Sequence, residues 1–391
     1  MIDVAQARAL TPGAAHQAYF YSCGAGLMPA PVLDAVHGHL DREALIGGYA
    51  AEDEAAPAVE ATYDAIARLI NCHPDEVAVV ENATVAWCQA FYGLAQDMKP
   101  GDRVLTVVAE YASNFIALLQ TVQRRGIVID VIPNDGEGQA DLEALEGLID
   151  DDVKLIAVTH VPTSGGLVSP AAEIGAIARR HGIPYLLDAC QSAGQLPLDV
   201  EALGCDFLSA TGRKFLRGPR GTGFLYASRA IMERCEPPVL DLHSARWTAP
   251  DAYEMRPDAR RYENWENYVA GKIGLGVAVE HALSWGLDAI AARNAELSGD
   301  LRERLAAIPE VTLRDAGRHQ CAIVTFSHER IAPEVMAATL SVQGFAIGTS
   351  GASSTLIDFQ ARDLPPLCRA AVHYHNTEDE VARLAEAIAA L

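Results

Sequence analysis

The chain has 391 residues, half of them hydrophobic, enough for a large core and for two domains. Its net charge of −22 argues against nucleic acid or an anionic membrane as a partner, since both select basic patches. No charged-then-apolar leader opens the chain and no apolar run reaches 18 residues, so a soluble, cytoplasmic protein is expected.

In chain order, "EVAVV" (76–80) reads as a strand before a helix starting near Thr84. "DRVLTVV" (102–108) reads as a strand before a helix from Ser113. "GIVIDVIP", "VKLIAVTH", "PYLLDAC", "CDFLSAT" and "GTGFLYA" follow, making seven strand-like runs. Strands alternating with helices predict a mostly parallel sheet covered on both faces. Ligands of such sheets bind at the carboxyl ends of the strands. Polar residues gather there in this chain: Asn82 and Thr84, Glu110 and Tyr111, His160 and Thr163, Asp188 and Gln191, then Thr211, Arg213 and Lys214.

Residues 236–268 are rich in proline, aromatic and charged residues. A long amphipathic helix is expected from about Gly271 into the 290s. "HQCAIVTFS" and "GFAIGTS" read as strands, and "TEDEVARLAEAIAAL" as a last helix with a Thr377–Glu380 capping box. The expected division is a large domain over 20–250 and a smaller α/β domain from 1–19 and 251–391. The eight cysteines are widely spread and none is paired as C-x-x-C, so neither a zinc site nor a disulfide framework is expected.

Only four of the 30 basic residues are lysine, and one of them, Lys214, lies among arginines and glycines in "SATGRKFLRGPRGTGFLY". Lysine can lose its proton and attack a carbonyl; arginine stays charged. Asp188 ends an apolar strand, where a carboxylate needs compensation. It either caps the next helix or holds a proton on a heteroaromatic nitrogen, with Gln191 placed to reach a ring substituent. "ENATVAW" follows a strand and opens a helix, so free N–H groups and Thr84 suit a phosphate; an ordinary Asn or Thr cap is the plainer alternative. Thr211 and Arg213 suit the same phosphate. "GPRGTG" does not precede a helix, which sets a dinucleotide fold aside. One ligand answers all these features: pyridoxal 5′-phosphate.

The segment "YLLDACQSAGQLPLDVEALGCDFLSATGRKFLRGPRGTGFLY" resembles the class V aminotransferase family of fold-type I pyridoxal-phosphate enzymes. That family includes cysteine desulfurases, isopenicillin N epimerase and the C–S lyase of ergothioneine synthesis. "YFYSCGAGLMPAPVLDAV", "AEYASN" and "CRAAVHYHNTEDEVARL" resemble its opening, ring-stacking and closing segments. The resemblance implies that Lys214 attaches the cofactor and acts as base and acid, and that Asp188 pairs with the pyridine nitrogen. It implies further that Gln191 contacts the ring oxygen, that Ala83, Thr84, Thr211 and Arg213 hold the phosphate, and that Tyr111 stacks on the ring. Thr163 belongs to the same cofactor set, and Arg369 matches the arginine that grips the substrate carboxylate. "RRYENWEN" resembles a segment that reaches the neighbouring subunit's phosphate, which implies a homodimer with shared sites and a contact around Trp265.

The family's cysteine desulfurases carry a mobile cysteine in a loop before that arginine. Here the loop is "GTSGASSTLIDFQARDL", with Ser353 or Ser354 at the place. The leading expectation is therefore a C–S lyase acting on a cysteine derivative without a catalytic cysteine. "REALIGGYAAEDEA" also resembles a segment of the ergothioneine lyases. An aminotransferase or epimerase of an amino acid, a cysteine desulfurase, and a non-enzymatic scaffold that retains the cofactor are the alternatives.

Overall fold

The computed structural model describes residues 2–391. Seven strands form the central sheet: β1 (Val77–Val80), β2 (Arg103–Val107), β3 (Val128–Ile132), β4 (Val153–Thr159), β5 (Tyr185–Asp188), β6 (Phe207–Thr211) and β7 (Gly223–Ala227). Their order across the sheet is β1-β7-β6-β5-β4-β2-β3, and only β7 runs antiparallel to its neighbours. The seven apolar runs seen in the sequence are these seven strands.

Successive side chains of a strand point to opposite faces, so each run feeds two cores. Leu105, Ile156, Leu187 and Leu208 enter one apolar cluster, whereas Val104, Leu155, Leu186 and Phe207 enter another. Helices α1 (Ala30–Ile46) and α2 (Gly48–Ile70) belong to the first side of the sheet. On the second side lie α3 (Ala83–Ala95) and α4 (Ala112–Arg125), which contribute Trp87, Phe91 and Leu118.

The long helix expected from about Gly271 is two helices, α5 (Val269–Trp285) and α6 (Leu287–Ala306). The break is Gly286, whose φ of 83° lies in the region that only glycine enters without strain. Helix α5 is buried on most sides and packs on α1 and α2. Helix α6 instead sends Leu297, Leu301 and Leu305 into a third cluster, which also holds Ala18, Phe20 and Cys23. That cluster lies on a four-stranded antiparallel sheet of β8 (Val311–Leu313), β9 (Ile323–His328), β10 (Gly348–Ser350) and β11 (Leu367–Ala371), in the order β8-β9-β11-β10. We propose on this packing that the boundary between the large and small domains lies at Gly286. The final helix, α7 (Glu378–Ala389), carries the Thr377–Glu380 capping box.

Candidate active site

The carboxyl ends of β1, β2, β4, β5 and β6 surround a cavity of about 490 Å³. Ala83, Thr84, Tyr111, Thr163, Asp188, Gln191, Thr211, Arg213 and Lys214 all line it. They come from five separate stretches of sequence, brought together because parallel strands point their carboxyl ends the same way.

Lys214 is buried in the turn that follows β6. Gly212 closes that turn, donating its N–H to Thr222 O and accepting from Gly218 N. Gly26 packs so closely that a Cβ there would lie 2.5 Å from the Lys214 carbonyl oxygen. Arg217, three residues on, is buried with a left-handed φ of 61°. Hydrogen bonds to Leu27 O, Tyr374 Oη and Thr11 Oγ1 hold it there, so this arginine fixes the turn and does not face a ligand.

At the end of β5, Asp188 Oδ1 accepts the Cys190 N–H at 2.8 Å, the local cap expected of a strand-end carboxylate. Its Oδ2 accepts from Asn114 Nδ2, also at 2.8 Å. Burial pushes the Asp188 carboxyl above its ordinary range, against the opposing pull of Asn114, the Cys190 N–H and Lys214. A cationic ring nitrogen beside it would relieve that burial cost.

Gln191 donates Nε2 to Cys23 O and Thr163 Oγ1 at 3.1 and 3.2 Å. Its Oε1 is buried with no protein partner. Helix α3 opens the cavity on the β1 side. Asn82 is its cap, accepting from Val85 N at 3.0 Å, and the N–H groups of Ala83 and Thr84 border the cavity at the positive end of the helix dipole. Thr211 Oγ1 donates to Thr222 O, and Arg213 Nη1 donates to Gly24 O.

Arg369, on β11 of the small domain, donates Nη1 to Thr163 O at 2.6 Å and to Thr163 Oγ1 at 2.7 Å. It makes no ion pair with an acid of the last helix. Trp265 is outside this cavity. It is half exposed and borders a separate groove with Tyr49 and Tyr268.

Sequence reasoning passed over Asn114 and gave Glu110 no role. Both are buried, and Glu110 and Asn114 are spaced i, i+4 at the start of α4, a signal too common to stand out. Cys190 also lines the cavity; burial pushes its thiol upward, against the pull of the neighbouring Lys214.

These residues fit pyridoxal phosphate. A lysine, a buried carboxyl, a glutamine amide and a helix start with a hydroxyl and an arginine match its aldehyde, ring nitrogen, ring oxygen and phosphate. Relatives agree. Residues 18–384 match the family described as Aminotransferase class-V. A probable cysteine desulfurase of Xylella fastidiosa (strain 9a5c) is 32% identical over 339 residues, covering 86% of this chain and 80% of that protein. One from Synechocystis sp. is 30% identical, with coverage of 86% and 80%. The apo cysteine desulfurase of Thermococcus onnurineus NA1 has the same fold, with a TM-score of 0.92, 25% identity, and 100% and 98% of the two chains covered. The chain belongs to the class V aminotransferase family and is a fold-type I enzyme dependent on pyridoxal 5′-phosphate.

Proposed function

We propose that this enzyme cleaves the C–S bond at the β-carbon of a cysteine derivative by elimination, releasing a thiol, pyruvate and ammonia. No protein thiol takes part. The observation that carries this reading is the loop 351–355. The Ser354 carbonyl accepts the Ala112 N–H at 2.9 Å, which places the loop against the Tyr111 helix, and the Ser350 hydroxyl meets that of Ser164 at 2.7 Å. The loop holds Ser353 and Ser354 and no cysteine. Cys321 and Cys368 are buried in the small-domain core, where a thiol cannot swing toward a substrate.

When bound, the cofactor supplies an electron sink for charge left at Cα. In this reading Lys214 attaches it and takes the Cα proton. Asp188 keeps the ring nitrogen protonated, and Gln191 contacts the ring oxygen. Tyr111 covers one ring face. Thr84, Thr211, Arg213 and the first N–H groups of α3 hold the phosphate. Arg369, steadied by Thr163, binds the α-carboxylate through its planar fork.

A homodimer with shared sites is part of the proposal. It is supported by Leu242, Trp247, Tyr253 and Trp265, four large side chains exposed within one 24-residue stretch. A cytoplasmic setting is supported by eight free cysteines.

The names of the relatives favour a second reading, a desulfurase in which a thiol accepts the sulfur. Cys190, inside the cavity, is the residue to suspect.

Purified enzyme given a panel of amino acids separates these readings. Elimination yields pyruvate and ammonia from an S-substituted cysteine, and Cys190→Ala keeps its turnover. Alanine with a protein-bound persulfide identifies the desulfurase. Keto acid with aminated cofactor identifies a transaminase, and inverted chirality alone an epimerase. Borohydride reduction followed by peptide mapping is expected to place the cofactor on Lys214; a label on another lysine removes the assignment.

A further inference from the structure

Glu110 is a buried carboxyl outside the cavity lining, and the roles above do not use it. It collects five donors. Tyr111 N and Asn114 Nδ2 reach Oε1 at 2.9 and 2.8 Å, and the Thr159 hydroxyl binds the same oxygen. Thr106 Oγ1 and Thr159 N reach Oε2, each at 3.1 Å. The same Nδ2 of Asn114 also donates to Asp188 Oδ2. One amide nitrogen thus joins two buried carboxyls. Its two N–H groups serve the two carboxyls, so Glu110 and Asp188 together fix which way the amide faces.

We propose that Glu110 is a positioning residue: through Asn114 it holds Asp188 in place for the cofactor's ring nitrogen, and cofactor uptake drives a proton off Glu110 into solvent. The inference rests on the assigned role of Asp188.

Asp188 is the negative neighbour of Glu110, one amide away. Without the cofactor its charge disfavours a second charge on Glu110, and burial disfavours it more. Burial, with Asp188 adding to it, raises the Glu110 carboxyl to about 7, while Thr159, Asn114 and the Tyr111 N–H pull the other way. The remaining titratable groups nearby do not supply compensation. Tyr185 is held far above its ordinary range by burial and stays neutral, and burial likewise holds His160, next to Thr159, neutral with a pKa of about 4. Lys214 and Cys190 lie beyond Asp188. A protonated ring nitrogen against Asp188 cancels the opposing charge. Glu110, with five donors already aimed at it, then ionises.

The test compares pyridoxal phosphate binding to apoenzymes of wild type, Glu110→Gln, Asn114→Ala and Asp188→Asn. Calorimetry at pH 6.5–7 in two non-amine buffers of different ionisation enthalpy counts the protons exchanged. Wild type should release a larger fraction of a proton than Glu110→Gln, and both Glu110→Gln and Asn114→Ala should bind the cofactor about tenfold more weakly, as expected for loss of a hydrogen bond to a charged group. Equal proton counts in wild type and Glu110→Gln, or wild-type affinity in Asn114→Ala, overturn the proposal. If Glu110→Gln does not accumulate folded, Glu110→Ala takes its place in the proton count under the same criterion. Asp188→Asn separates the two levels. Wild-type affinity and spectrum in that variant defeat the role of Asp188 itself; a defect there with none in the Glu110 and Asn114 variants defeats only the positioning role.

Discussion

Arg369 hydrogen-bonds to Thr163 through one terminal nitrogen, and its buried Nε has no partner. A buried guanidinium in that state is costly unless an anion completes it. Its plane lies over the Tyr21 ring, 5.5 Å from Cζ to the centroid, which stiffens the fork without consuming its donors. Arg369→Ala is expected to keep the cofactor spectrum and the melting temperature while kcat/KM falls on the order of a hundredfold for every amino-acid substrate. Arg369→Lys should recover little, because a point charge cannot reproduce the two-pronged contact. Unchanged kinetics in the alanine variant would move the carboxylate site elsewhere. Lys214 and Arg217 show the same chemistry from the opposite side. Both are buried basic residues of one turn, but Arg217 is saturated by three acceptors, whereas Lys214 lines a cavity.

At the scale of elements, the site depends on close approaches that glycine permits. Strand β10 passes over Tyr21 so tightly that a Cβ on Gly348 would lie 1.9 Å from Tyr21 Cε2. Gly24 presses the same ring from its own side, with a Cβ there 2.7 Å from Tyr21 Cζ. Gly348 pairs in register with Arg369 across β10 and β11, so the wedge and the arginine share one ladder. Gly348→Ala must displace the Tyr21 ring and with it the platform under Arg369. The expected cost is about 1–3 kcal/mol of stability, as for other overpacked sites. KM for the amino acid should rise more than kcat falls. A stability loss with unchanged KM would show that the ring fills space only.

Across the whole molecule, a second buried ionic centre ties the layers of the large domain together. Glu263 accepts from Tyr63 Oη of α2 at 2.8 Å and from Val79 N of β1 at 2.7 Å, and it pairs with Lys272 Nζ of α5 at 3.2 Å. His243 completes the group at 3.5 Å. Burial alone would raise the Glu263 carboxyl; Lys272, His243, the Val79 N–H and Tyr63 more than offset it and hold it below its ordinary value of 4.5. Because the folded value is depressed, this stabilisation is present above pH 4.5 and is lost as pH falls through the lower value. Lys272→Met leaves the carboxylate buried and uncompensated, and is expected to cost about 3–5 kcal/mol near neutral pH. In the variant burial governs, so the folded value rises above 4.5 and the deficit shrinks in acid. Urea unfolding at pH 7 and pH 4 checks both signs; a deficit independent of pH would mean that packing alone was lost.

The residues proposed for the cofactor half of the site stood out in the sequence because their information is local. Asp188 and Gln191 are three residues apart at one strand end, Thr211, Arg213 and Lys214 occupy the next, and strand ends are readable from apolar runs. The seven strands were readable for the same reason, since each alternates its side chains into two cores. The break at Gly286 was not, because one glycine interrupts a run whose composition on both sides suits a helix. Strand β11 was missed because "LCRAA" is short and buried, with no alternation to mark it. Only the tertiary structure decided which residues meet across the chain. Arg369 reaches Thr163 over a separation of 206 residues, and Asn114 reaches Asp188 over 74. Such pairs are set by how one domain seats on another and by which strand lies beside which. A single chain read in order carries no distance between segments, so it names the groups able to do the chemistry and leaves their partners to the fold.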